Sequence, residues 1–199
     1  MWVTDRVLGL VTLYGGDVPE ARRLLADSLR LNLDLNDGWF LGRVCTYLAE
    51  TALWEGDLDA AEQWLAQSLA YHADPRWIRM DQIERLFVAA RLATAQAAYL
   101  RAAALFGVAD EMCSRIHYEL AGPARLLADT ALATVRAALG AAAYDEASAA
   151  GRRLTLEEAF AAISAAPSII DASLLFPQPS ALPARRSQPK TVDLPRPGN

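Results

Sequence analysis

A repeated pattern in the first half of the chain limits its possible folds most. Segments 16–29 and 56–69 carry Gly, Asp, Ala, Leu, Ala, Ser and Leu at the same relative positions. A glycine can adopt the positive φ that ends one helix, and the aspartate after it can cap the next helix. Alanine and serine allow two helices to approach, while leucine fills the space between them. The pattern therefore predicts antiparallel helix pairs.

A fainter third copy follows the second. Ala102, Phe106 and Ala109 stand in the same relative spacing as the alanine, leucine and serine of the second copy, and Ala97 stands where the turn glycine would be. No segment shows sustained two-residue alternation of apolar and polar residues, so we expect an all-α fold. The helical periodicity predicts helices at 2–14, 18–33, 38–54, 58–72, 76–96, 98–117, 123–139, 141–150 and 155–165.

The chain divides into three parts by composition. Residues 1–122 contain the predicted helix pairs, and residues 123–165 form a predicted C-terminal helical cap. Thr155 and Glu158 form a capping-box pattern at the start of the last helix. Residues 166–199 contain seven of the ten prolines and show no helical period, which predicts a disordered tail or linker. Its few apolar residues could dock onto the body or bind a partner.

The charge is acidic and unevenly distributed. The net charge is −5, yet the segment 166–199 contains more basic than acidic side chains. An acidic body is a poor match for phosphates, so we expect no direct binding to nucleic acid. The apolar run Val7–Val11 is too short to cross a membrane. These features predict no membrane association and a cytoplasmic location.

The residue types that carry catalysis are few and far apart. Cys45 and Cys113 lie in predicted helices with no second thiol nearby, and His72 and His117 each lie at a predicted helix end. Metal sites need more ligands at closer spacing, and nucleotide sites of the P-loop type need a glycine-rich loop with lysine. We therefore predict no catalytic, cofactor or metal site, and a protein that is not an enzyme.

The repeated pattern resembles the tetratricopeptide repeat. In that family a Leu-Gly pair lies in the first helix, a Gly-Asp turn follows, and the second helix carries small and large residues in turn. Leu8-Gly9 and Gly16-Asp17 match these places in the first unit, and Leu48-Ala49 and Gly56-Asp57 match them in the second. The repeat period in this chain is longer than the usual one of about 34 residues. The resemblance implies a right-handed α-solenoid.

The second half carries a further resemblance. The stretch RAAALFGVADEM begins at Arg101, ATVRAALG begins at Ala133, and GRRLTLEEA begins at Gly151. Their order resembles the C-terminal helical-repeat region of LuxR-family (MalT-like) bacterial transcriptional regulators. In such proteins a nucleotide-binding domain precedes the repeats and a helix-turn-helix domain often follows them. Neither motif is found in this chain, which therefore looks like the repeat portion alone.

The LuxR-type resemblance implies a scaffold or sensor segment without catalytic activity. Its partners would be a protein, a peptide, an effector or other domains of a larger regulator. The alternative is a free-standing tetratricopeptide adaptor that binds a partner peptide in its concave groove. The sequence leaves both open.

The tetratricopeptide resemblance also implies a binding surface. In that family the first helix of each pair lines the concave face. The corresponding groove residues in this chain are Arg43, Thr46, Tyr47, Glu50, Trp54, Glu84, Phe87, Val88 and Arg91.

The first helix has no preceding repeat in this chain to cover its outer side. We therefore expect Val3, Val7, Leu10 and Leu13 to be exposed. An exposed apolar face of this kind favours a homo-oligomer formed through the N-terminal end.

Overall fold

The computed structural model describes residues 2–33, 37–71, 80–120 and 122–164. Within these residues the chain forms eight α-helices and no strand, as the all-α prediction requires. The predicted tail 166–199 lies outside the described residues. The helices are α1 (Trp2–Tyr14), α2 (Val18–Leu33), α3 (Gly38–Glu55), α4 (Leu58–Ala70), α5 (Met80–Ala95), α6 (Tyr99–Ile116), α7 (Gly122–Arg152) and α8 (Leu156–Ser164).

The glycine-aspartate turns have the predicted geometry. Gly16 and Gly56 have φ values of +91° and +75°, which are unfavourable for other residues. The side chain of Asp17 accepts a hydrogen bond from the backbone N–H of Glu20 at 3.2 Å. Asp57 accepts the equivalent bond from Ala60 at 3.0 Å. The two turns therefore end one helix and start the next by the same mechanism.

The third turn has the same shape without the same residues. Ala97 adopts a φ of +56°, in the left-handed region where glycine stands in the first two copies. Ala98 begins α6 without a side-chain capping bond. The third copy of the pattern therefore does contain a turn at the predicted position, although alanine favours the left-handed conformation less than glycine does.

The repeated small and large positions form the core between paired helices. Helices α1 and α2, α3 and α4, and α5 and α6 pack against each other, and α2 and α4 also contact the following pair. The repeated alanine, large residue and small residue of α2, α4 and α6 are all almost fully buried. They are Ala21, Leu25 and Ser28 in the first copy, Ala61, Leu65 and Ser68 in the second, and Ala102, Phe106 and Ala109 in the third.

The seventh and eighth predicted helices are joined as α7, which is broken at Gly140. This glycine has φ 73° and ψ 168°, so the helical path is interrupted between the two predicted spans. By length and mean hydropathy, α7 is the one described helix that could cross a membrane. One helix that meets these two criteria is weak evidence of a membrane span.

Close backbone contacts join α6 to the second part of α7. A Cβ atom added at Gly107 would collide with the backbone carbonyl of Ser148, and one added at Gly151 would collide with that of Ala104. Both glycines belong to the motifs that resemble the LuxR-type repeat region. At these two positions only glycine allows the helices to pack at the observed distance.

Other residues of the same motifs also hold the cap together. The guanidinium of Arg101 donates to the carbonyl of Ala162 at 3.1 Å, at the end of α8. The Arg136 guanidinium lies 4.6 Å from the ring centre of Tyr144, on the other side of the break in α7. These contacts give the motif residues structural roles in the cap.

The capping box of α8 forms as predicted. The backbone N–H of Thr155 donates to the carboxylate of Glu158 at 2.7 Å, and the N–H of Glu158 donates back to the Thr155 hydroxyl at 3.2 Å. The two bonds satisfy two backbone donors at the helix start.

The predicted exposure of α1 is wrong at Leu13. This side chain is fully buried, and Leu10 is half-buried, whereas Val7 is exposed. The exposed apolar side of α1 is formed by Val7, Leu8 and Val11 instead. The buried Gly9 on the same helix lies against the side chain of Leu25 on α2. The side chain of Val3 lies outside the described residues.

A candidate ligand cavity between the first helices

One cavity of about 280 Å³ opens between the first helices of the pairs. It lies where α1, α3 and α5 meet the segment that leads from α6 into α7. Most of the predicted groove residues line it. They are Thr46, Tyr47, Glu50, Glu84, Phe87, Val88 and Arg91. The remaining lining residues are Leu10, Tyr14, Tyr118, Glu119, Leu120 and Ala124.

The two other predicted groove residues lie elsewhere. Arg43 does not line the cavity, but it contacts two residues that do. Its guanidinium donates to the Tyr47 hydroxyl and lies near the Glu84 carboxylate. Trp54 is 40% exposed and does not line the cavity. It lies in the last turn of α3. The middle of α3 therefore lines the cavity through Thr46, Tyr47 and Glu50, and the end of this helix does not line it.

A short ion pair forms one wall of the cavity. The Arg91 guanidinium on α5 lies 2.6 Å from the Glu50 carboxylate on α3, and both side chains are largely buried. The Tyr14 hydroxyl on α1 donates a longer hydrogen bond of 3.4 Å to the same carboxylate. The ion pair joins α3 and α5 and neutralises its own charge, and the bond from Tyr14 connects α1 to it.

Glu84 is a second acidic residue in the cavity lining, and its nearest partner is farther away than that of Glu50. Its carboxylate lies 3.6 Å from the Arg43 guanidinium. The hydroxyls of Tyr118 and Tyr47 donate to it at 3.2 and 3.4 Å. Burial raises the pKa of Glu84, although Arg43 and the two hydroxyls act in the opposite direction. Burial also raises the pKa of Tyr118, to about 12, so this hydroxyl remains a donor at neutral pH.

Arg43 is held mainly by aromatic neighbours. Its guanidinium lies 5.4 Å from the ring centre of Trp39 and 5.9 Å from that of Tyr47. It also donates to the Tyr47 hydroxyl at 2.9 Å, which is shorter than its distance to Glu84. Cation–π contacts and this hydrogen bond fix its position. Its charge therefore reaches Glu84 only at the longer distance.

The repeat register explains part of the cavity that the sequence prediction missed. Leu10, Glu50 and Arg91 occupy one and the same position in the first, second and third copies of the repeat. Glu84 likewise occupies in the third copy the position that Arg43 has in the second. Extending the groove pattern back by one repeat would have found Leu10. Tyr118, Glu119 and Leu120 follow α6 outside any helix and have no such signal.

A second polar cluster was also missed, on the other side of α5. Arg85 is fully buried, and its Nε donates to the Ser68 hydroxyl at 2.7 Å. Ser68 in turn donates to the carbonyl of Gly42 at 2.7 Å. The two terminal nitrogens of Arg85 have no hydrogen-bond partner among the described residues, and the guanidinium lies 5.5 Å from the ring centre of Phe160. Burial lowers the pKa of Arg85 to about 10.

Metal-binding and reactive groups are scarce in the part of the chain that the structure describes. It contains no group of three or more His, Cys, Asp or Glu side chains placed to hold a metal ion. Cys45 is fully buried, and burial raises the pKa of its thiol to about 12. Cys113 is half-buried, and burial raises its pKa to about 11. His117 ends α6 with φ 52°, whereas His72 lies outside the described residues.

Comparison of the chain with protein-family models, with curated proteins and with solved structures gives no match.

Proposed function

We propose that this chain is a non-catalytic, tetratricopeptide-like scaffold whose concave side binds a small effector. One observation carries the proposal. Equivalent repeat positions on α1, α3 and α5 converge on one cavity, and the start of α7 completes its wall. This is the arrangement expected of a right-handed solenoid, in which the first helix of each pair faces the inner side.

The size and lining of the cavity favour a small ligand over an extended peptide. Its volume of about 280 Å³ is close to the lower end of typical ligand sites, about 300–1,000 Å³. The walls combine apolar residues such as Leu10 and Phe87 with a few charged and hydroxyl groups. Ligand sites commonly have this mixture, in which apolar area provides affinity and polar groups fix orientation.

The motif order in the second half supports a relation to LuxR-type regulators. In this proposal the chain is the sensor segment of such a regulator, located in the cytoplasm, and its partners are other regulator domains. The cap formed by α7 and α8 packs against α6 and would be the structural end of the repeats. The tetratricopeptide adaptor is the alternative, and it would use the same concave side to bind a peptide.

Self-association through the N-terminal end is part of the proposal. The exposed Val7, Leu8 and Val11 on α1 support it. Light scattering of the purified chain should give a mass above that of the monomer, and replacing Val11 with glutamate should reduce it. A strictly monomeric wild-type chain would remove this part of the proposal.

Capture of small molecules tests the effector proposal. The purified chain is incubated with the low-molecular-mass fraction of a cell extract, separated by gel filtration, and analysed for retained compounds. Ala124→Trp fills the cavity from its rim, whereas Ala137→Trp places the same side chain on an exposed part of α7. We expect a compound to be retained by the wild type and by Ala137→Trp but not by Ala124→Trp. Equal retention by all three proteins, or none, would contradict the proposal.

A further inference from the structure

The charges around the cavity are not balanced. Among the described residues that line it, three carry carboxylates, on Glu50, Glu84 and Glu119, and one, Arg91, is basic. Arg91 already forms a short pair with Glu50 at 2.6 Å. Glu119 is exposed at the rim, with no ion pair among the described residues. The described part of the lining therefore carries more negative than positive charge, and its arginine is already paired with Glu50.

Glu84 is the carboxylate inside the cavity that is least satisfied. Charge-assisted hydrogen bonds between nitrogen and a carboxylate are usually about 2.7–2.9 Å long. The contact from Arg43 to Glu84 is 3.6 Å, and the two tyrosine hydroxyls lie at 3.2 and 3.4 Å. Arg43 makes its shorter bond to Tyr47 and is held between aromatic rings. Glu84 therefore retains the capacity to accept a strong hydrogen bond from a cation in the cavity.

The rest of the wall suits the body of such a ligand. Leu10, Phe87, Val88 and Leu120 provide apolar surface. The rings of Tyr14, Tyr47 and Tyr118 add aromatic surface near the acidic groups, and aromatic faces attract organic cations. An anionic ligand would meet the carboxylates of Glu84 and Glu119 and an arginine that is already bound.

We infer that the cavity binds a small organic ammonium compound with an apolar body, and that its ammonium group donates to Glu84. This inference rests on the proposed function, because it names the class of effector for the same cavity. The apolar body of the ligand packs against Phe87 and Val88. The volume of about 280 Å³ accommodates one such molecule.

A matched series of probes tests the inference by calorimetry on the full chain. The probes are 2-phenylethylamine, 2-phenylethanol and phenylacetate, which have similar bodies and carry a positive, a neutral and a negative head at neutral pH. We expect the amine to bind at least about tenfold more tightly than the alcohol, because a hydrogen bond between a charged donor and a carboxylate is stronger than one from a neutral hydroxyl. Phenylacetate should bind weakest.

Variants locate the effect within the cavity. Glu84→Gln keeps the shape of the side chain and should remove the preference for the amine over the alcohol. Glu157→Gln is the matched control on the exposed side of α8, and it should leave the preference unchanged. Ala124→Trp should abolish binding of every probe, whereas Ala137→Trp should not. A thermal melt of each variant confirms that it is folded.

The outcomes separate the inference from the proposed function. Equal affinity for the three probes, or tightest binding of phenylacetate, would overturn the ammonium inference and leave an effector cavity in place. No binding of any probe would also overturn it, while the extract experiment still tests the cavity. Binding only to lysine-containing peptides and to none of the free probes would overturn it and favour the adaptor.

Discussion

The C-terminal cap and the cavity face use helix contacts of opposite kinds. Where the cap packs on the repeats, α7 approaches α6 until glycine meets backbone, at Gly107 against Ser148 and at Gly151 against Ala104. At the cavity face, α1, α3 and α5 present longer side chains to each other and leave about 280 Å³ unfilled. The size of the facing residues therefore decides whether two helices close on each other or leave space.

The comparison also separates structural motifs from cavity-lining residues. The motif residues Arg101, Arg136 and Gly151 form contacts within the cap or between the cap and α6. The cavity is instead formed where equivalent repeat positions carry different residues. Leu10, Glu50 and Arg91 occupy one position and provide an apolar group, an acid and a base. Small residues that recur between the repeats allow the helices to pack together. Residues that differ between the repeats give the cavity its apolar, acidic and basic groups.

The largest expected effect breaks the close contact in the cap. Gly151→Val would drive a side chain into the backbone of Ala104, so we expect a loss of at least about 3 kcal/mol in unfolding free energy. Ala150→Val is the neighbouring exposed control and should cost only about 0.5 kcal/mol through helix propensity. Urea unfolding measures both. Similar losses for the two variants would show that the helices are not in backbone contact.

The ion pair at the cavity face provides the next largest effect. Arg91→Met leaves the largely buried carboxylate of Glu50 without its close cation, which should cost about 2 kcal/mol at neutral pH. Adding Glu50→Gln should recover much of that loss, because the unpaired charge is then removed. The same urea experiment gives the coupling between the two positions. Strictly additive losses would mean that the two side chains do not interact.

A pH series tests whether burial raises the pKa of Glu84. Because burial raises its pKa, the folded chain holds this proton to higher pH than the unfolded chain does. Protonated Glu84 therefore adds to the free energy of unfolding at low pH. This contribution is lost as the pH rises from the ordinary pKa of 4.5 through the raised pKa of the folded chain. We therefore expect wild type to gain stability relative to Glu84→Gln when the pH is lowered from 7 to 5. A stability difference that is independent of pH would contradict the assignment.

The smallest effect concerns the turn that leads into α6. Ala97 has a positive φ, so Ala97→Gly should stabilise the chain by about 0.5 kcal/mol. Ala95→Gly, at the exposed end of α5, should destabilise it by up to about 1 kcal/mol. Thermal melts of the two variants should move in opposite directions. A loss of stability in both would indicate that Ala97 is not in the left-handed region.

The sequence predicted those features that depend on local chemistry. The turn glycines Gly16 and Gly56, their aspartate caps and the capping box at Thr155 all follow from interactions within a few residues. The groove prediction on α3 and α5 relied on family geometry, and most of its residues line one cavity. Trp54 lies outside it because the cavity ends before the last turn of α3.

The residues that the sequence analysis did not predict are placed by contacts between segments far apart along the chain. Tyr118 follows α6 in a non-helical segment, and its hydrogen bond to Glu84 joins two segments far apart along the chain. Arg85 lies on a helix where an arginine would ordinarily face solvent, and its burial follows from contacts with α4 and α8. No local pattern marks either residue. Leu10 is different, because the repeat register would have identified it.

Tyrosine ring signals give the most direct test of the ligand cavity. Tyr14, Tyr47 and Tyr118 line it, whereas Tyr144 lies in the cap and is buried beside Arg136. NMR spectra of tyrosine-labelled chain are recorded during titration with 2-phenylethylamine. We expect saturable shifts at the three cavity tyrosines and none at Tyr144. Shifts confined to Tyr144, or none at any of the four, would contradict the account.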